Sequence, residues 1–123
     1  MVLYSVAGCV EHNDYTICER LLDIMVTALP DITAEKEPCL HDLWQDRALE
    51  IAQLNGFACV GGEATRVPQV LVWRHGRLIA HRSEEFALYV LQQYALELDL
   101  GQEQVEAYTK ANTATARLVP SST

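Results

Sequence analysis

The stretch "VPQVLVW", residues 67–73, is apolar at nearly every position. A strand with one wet face alternates apolar and polar side chains. A strand without that alternation is covered on both faces, and the covers in a small domain are helices. The stretch therefore predicts a layered α/β domain. "RHGR" then reads as a tight turn in which Gly76 supplies the unusual backbone angle, and "LIAH" as the returning antiparallel strand.

The rest of the chain supplies the other layers. "MVLYSVA" is a strand candidate. Behind it, Cys18, Leu21, Leu22, Met25, Val26 and Leu29 form the stripe of a first helix, capped by Asn13 or Asp14 and ended by Pro30. "DITAEKE" reads as a short, charged strand near an edge. Pro38 is expected to open a second helix, about "CLHDLWQDRALEIAQLN", with a stripe of Leu40, Leu43, Trp44, Ala48, Ile51 and Ala52 and a left-handed cap at Gly56. "ACVGGEATR" reads as a loop. Ser83 is expected to cap a third helix, with Glu84 and Glu85 at its positive end and Phe86, Ala87, Val90, Leu91, Tyr94 and Leu98 facing inward.

The order β-α-β-α-β-β-α predicts one domain over residues 1–100, a mixed four-stranded sheet with helices on both faces. Residues 101–123 hold a helical turn or two around Val105 and Tyr108, then the small polar run "NTATARLVPSST". They read as an extended or partly helical C-terminal tail, mobile alone and ordered against a partner that supplies the missing burial.

The net charge is −8, with ten acids against Arg20, Lys36 and Arg47 in residues 1–60. That balance disfavours nucleic acid, whose affinity rests on basic groups at phosphates. The exception, "WRHGRLIAHR", gathers Arg74, Arg77, Arg82, His75 and His81 and reads as a solvated hairpin. No apolar run approaches the ~20 residues of a membrane span, and no export signal stands at the front. An intracellular protein without membrane partners is expected, with its four cysteines reduced.

"AGCVEHNDY", residues 7–15, carries the candidate chemistry. A cysteine between a strand and a helix meets free backbone N–H groups and the helix dipole, which lower a thiol pKa from ~8.5 to about 3.5–7.5. Cys9 is so placed, but His12 stands where a redox motif has its second cysteine, and it cannot resolve a disulfide. Cys9-x2-His12 and Cys39-x-His41 offer a Cys2His2 set for zinc. Cys39 is expected to begin the second helix on the other side of the sheet, so no metal is expected. Cys18 reads as a core residue, Cys59 as a loop residue, Trp44 and Trp73 as core or interface aromatics, and His75 as an exposed turn residue.

"VLYSVAGC" leading into a helix, and "RVPQVLVWRHGRLIAHRSEEF", resemble the corresponding parts of glutaredoxins, the minimal thioredoxin-like form. The resemblance implies a cis peptide at Val67–Pro68. If glutathione is bound, it implies contacts from Val67, Pro68, Arg82 and Ser83, although the receiving Gly-Gly pair is replaced by His81 and Arg82. Leu29-Pro30-Asp31, "HDLWQD" and "EEFALYVLQQYAL" resemble more closely the thioredoxin-like domain that opens malate dehydrogenase 1B-type proteins of cilia and sperm flagella. This chain has no Gly-rich dinucleotide loop, so no hydride transfer is implied. The expected function is a non-catalytic, thioredoxin-like interaction module without a cofactor, a structural component of a ciliary or flagellar axoneme. The alternative is a monothiol, glutaredoxin-like oxidoreductase using Cys9 and glutathione.

Overall fold

The computed structural model describes residues 2–57 and 67–118. Strand β1 (Val2–Cys9) lies between β2 (Ile32–Cys39), parallel to it, and β3 (Val70–Arg74), antiparallel to it; β4 (Arg77–Ala80) flanks β3, giving the order β2-β1-β3-β4. Helices α1 (Asn13–Ala28) and α3 (Ser83–Tyr94) cover one face, α2 (His41–Asn55) covers the other, and α4 (Gln102–Leu118) packs on α1. The mixed four-stranded sheet between helical layers agrees with the α/β expectation.

Alternation along β1 divides the core in two. Tyr4 and Val6 join Leu21, Leu22, Met25, Val72, Phe86 and Val90 on the α1/α3 face. Ala7 and Cys9 point the other way, against Trp44, Ala48, Ile51 and Leu71. Between these sets Gly8 marks a close approach. A Cβ there would lie 2.7 Å from the Gln69 carbonyl oxygen and 2.8 Å from the Tyr15 ring. Only glycine lets β1, the start of β3 and the first turn of α1 meet this tightly.

Several boundaries differ from the sequence reading. The cap of α1 is His12, whose Nδ1 accepts from the Asp14 N–H at 3.3 Å, rather than Asn13 or Asp14. Pro38 and Cys39 do not open α2. They complete β2, which pairs in step with β1 from Val2–Ile32 to Cys9–Cys39, and the Val10 N–H bonds the Cys39 carbonyl at 2.8 Å. An edge strand tolerates Pro38 because one side of its backbone needs no partner. The capping position of α3 is Arg82, without a side-chain bond; Ser83 is buried and donates to Asp14 Oδ1 at 2.9 Å, tying the starts of α1 and α3 together. Helix α3 stops at Tyr94 because Ala95 turns left-handed, φ 56°, so Leu98 lies outside it. Leu43 and Leu91, expected to face inward, are exposed. The Val67–Pro68 peptide, expected in cis, is not: among the described residues no peptide bond is cis. The β3–β4 turn has Gly76 at φ 74° as expected, with His75 also left-handed at φ 50°. The "ACVGGEATR" stretch, residues 58–66 with Cys59, lies outside the described residues; Phe57, just before it, is buried.

The largest departure is residues 102–118. The helical turns expected around Val105 and Tyr108 extend into a helix over the whole segment, and the helix is seated on α1. Thr109 Oγ1 sits 2.6 Å from Thr16 Oγ1, and both residues are buried. Val105 is buried, Thr113 donates to the Val10 carbonyl at 3.3 Å, and Arg117 pairs with Glu11 at 2.8 Å. Small residues let two helices approach closely, so a segment with few large apolar groups still gains contact. No helix among the described residues is long and apolar enough to cross a membrane.

Two stability predictions follow from this packing. Leu22 is fully buried on the α1 stripe. Leu22→Ala is expected to lower unfolding stability by about 2–5 kcal/mol through the cavity it leaves, read from urea melts; coincident melts would place Leu22 outside the core. Amide exchange on the isolated monomer is expected to protect the Val105–Thr113 amides. Exchange there at unprotected rates would return the segment to the mobile-tail reading.

Candidate functional site

The sequence candidates converge on the end of the sheet where β1 and β2 finish. Backbone pairing brings them there: the Cys9 N–H bonds the Gln69 carbonyl at 2.8 Å, which sets Val67 and Pro68 beside β1, and Ser83 reaches Asp14 in the first turn of α1. Pro68 is held from the far side, its carbonyl accepting from Trp44 Nε1 at 2.7 Å. Arg82 is exposed and lies 3.6 Å from Glu85.

The thiol points away from Ser83 and Asp14, toward the face on which Val67 also packs. Strand alternation sends the Cys9 side chain to the α2 face, where it is 2 % exposed among Trp44, Ala48 and Leu71. The α1 N-terminus lies on the other face, and its Asp14 N–H is already occupied by His12. Burial pushes the Cys9 pKa up. The Glu11 and His12 backbone N–H groups oppose this, and the Glu11 carboxylate adds to it. Burial thus outweighs what the N–H groups at the strand-to-helix junction supply, and the thiol is left above its ordinary range.

From α2, His41 Nδ1 stands 4.0 Å from the Cys9 sulfur. Cys39 stands directly across the β1–β2 ladder, and in a parallel pair register partners share a face. The sequence reading put these two cysteines on opposite sides of the sheet; the structure makes them neighbours. The Cys39 thiol faces Glu37, 3.8 Å from Oε2, and its pKa is pushed up to about 11, first by burial and then by the Glu37 carboxylate. Glu37 is itself held below the usual carboxylate range, chiefly by its hydrogen bond from Arg47, which also pairs with Glu50. Cys18 is buried in the core of α1, and burial pushes its thiol far up as well.

A groove of about 1080 Å³ opens beside this cluster. Val10, Pro38, Leu40 and Ala116 form its apolar walls, with Cys39 and Arg47 on its lining. Glu11 ties neighbouring elements together, accepting from the His41 N–H at 2.9 Å and from Arg117, which lines the groove. The Cys2His2 zinc set does not assemble: among the described residues no three His, Cys, Asp or Glu side chains stand together in a way that holds a metal ion. His12 is spent on its cap.

Cys39 and His41 were missed as neighbours of Cys9. The available signal was length: both strands run eight residues, so pairing them in step from their starts brings their last residues together. Compared with protein-family models and with curated proteins, the chain matches none.

Thiol titration checks this geometry. At pH 7.5 a free thiol of pKa ~8.5 is roughly one-tenth thiolate, whereas one at about 11 is ionised at roughly 3 parts in 10⁴. Iodoacetamide is therefore expected to modify Cys39 of the native protein at least a hundredfold more slowly than a free cysteine, and buried Cys9 more slowly still. Fast labelling of Cys9 below pH 7 would show a thiolate that the fold does not provide.

Proposed function

We propose that this chain is a non-catalytic thioredoxin-like interaction module rather than a thiol-redox enzyme. The observation that carries the proposal is the burial of Cys9: its sulfur is enclosed on the α2 face, and that burial raises its pKa despite the nearby Glu11 and His12 N–H groups. A glutathione-using thiol must be reached by a tripeptide and must ionise near neutrality. The thioredoxin-like assignment is supported by the order β2-β1-β3-β4 with parallel β1–β2 and antiparallel β3. The setting we propose, an intracellular axonemal assembly of a cilium or flagellum, is supported by the resemblance carried by Leu29-Pro30-Asp31, "HDLWQD" and "EEFALYVLQQYAL". Leu43 and Leu54, exposed on α2, and Leu88 and Leu91, exposed on α3, offer apolar contact to other proteins.

One observation favours a redox reading: Cys39 is a second thiol beside Cys9. Neighbouring strands lie about 4.8 Å apart, inside the ~4.4–6.8 Å Cα range of disulfides. Oxidised glutathione would take two electrons and two protons from the pair, becoming two thiols as the Cys9–Cys39 bond forms.

The two readings are separated by one set of measurements. Purified protein is expected to give no glutathione-dependent reduction of a mixed disulfide above background, and tagged protein in ciliated cells is expected to stay with the detergent-extracted axoneme. The Cys9→Ser variant is expected to be retained equally. Turnover that disappears in Cys9→Ser would replace the module with an enzyme, and full release by detergent would remove the axonemal setting.

A further inference from the structure

The end of the sheet opposite the cysteines carries an arrangement that nothing above uses. Arg74 and Arg77 are register partners across the β3–β4 hairpin, so their side chains leave the same face side by side. Like charges directly opposite on a sheet are destabilising. Of the other described bases, Arg20, Lys36, Arg47, Arg82 and Arg117 each have a carboxylate within 4 Å, and Lys110 stands alone on α4 with no like charge paired opposite it on a strand. Among the described residues neither Arg74 nor Arg77 has such a carboxylate, although the protein's net charge is −8.

The pair also lines a pocket of about 570 Å³, completed by His75 from the turn and by Tyr89 and Gln93 from α3. Arg74 is held from behind. Its Nη1 lies 3.5 Å from the Tyr4 hydroxyl, and its guanidinium 5.7 Å from the Tyr4 ring centre. Tyr4 is fixed in turn, its hydroxyl 2.7 Å from that of Tyr89 and 2.6 Å from that of Tyr94. The three hydroxyls and the guanidinium form a buried-to-surface hydrogen-bond network that presents Arg74 in one orientation.

We propose that this pocket is an oxyanion site, built for a phosphate group. Two guanidinium groups offer paired N–H donors to two or more oxygens and balance a dianion, the recognition for which arginine is suited over lysine. Tyr89 and Gln93 add neutral donors on the α3 side. Bound phosphate converts the Arg74–Arg77 repulsion into two attractions, so the ligand stabilises the hairpin that carries it.

The test is an amide-shift titration of the full chain with inorganic phosphate, and separately with a nucleoside monophosphate, against chloride at equal ionic strength. Saturable shifts confined to Arg74–Ile79 and Tyr89–Gln93 are expected with both phosphates and not with chloride. Tighter binding of the nucleotide would make the source a phosphorylated small molecule, and equal binding the free ion. Because Arg77 is exposed, Arg77→Gln is expected to fold. It is expected to weaken binding at least tenfold and, in phosphate-free buffer, to raise the melting temperature by relieving the repulsion. Shifts equal in chloride, or unchanged affinity in Arg77→Gln, would overturn the site. The variant Arg77→Lys is expected to keep the charge yet recover only part of the affinity; full recovery would reduce the site to a nonspecific positive patch and overturn the built geometry.

Discussion

Strand β1 is hydrogen-bonded on both sides, to β2 along its whole length and to β3 over residues 5–8, and packed on both faces. Every other element takes its place from it. The parallel partner requires a crossover, which α1 provides, and the antiparallel one requires the chain to come back after α2. Gly8 is where these demands meet, since the Tyr15 ring and the Gln69 carbonyl both press on its backbone. A side chain there would have to displace the α1 first turn or the start of β3, and both fix the neighbourhood of Cys9.

That neighbourhood shows how much chemistry depends on the parity of one strand. Adjacent residues in a strand point to opposite faces. Had β1 ended one residue earlier or later in its alternation, the thiol would have faced the α1 side of the sheet instead of the α2 core. As it stands, the sulfur lies among α2 side chains with His41, and Gly8 occupies the α1 side.

Much of this architecture is legible in the residues. The apolar run of β3, the stripe of α1 through Leu22 and Met25, Gly56 as the left-handed end of α2, and the hairpin at Gly76 all follow from local periodicity and backbone preference. What stayed hidden depends on partners distant in sequence. Cys39 belongs to β2 because β1 pairs with it in step, and Pro38 obscured that by resembling a helix start. Helix α4 was legible only in its first turns, for a different reason: Thr109, Thr113 and Ala116 look too small to hold a segment in place, and only the opposing Thr16 and Val10 make them complementary. The orientation of the Cys9 thiol required both the strand's boundaries and its partner on each side.

The two edges of the sheet differ in how they meet other chains. β2 carries Glu35, Lys36 and Glu37 beside Pro38, and charges and proline on an outer strand discourage the addition of a further strand. β4 is four residues long, with Leu78 and Ile79 at its centre, and relies mainly on brevity. During synthesis β1 can pair with β2 once α1 has formed, but its second side stays open until residues 70–74 leave the ribosome. In that interval an apolar central strand is itself an edge. The nascent chain is therefore most exposed to mispairing between completion of β2 and arrival of β3, a window that α4, which follows β3 in the chain, does nothing to shorten.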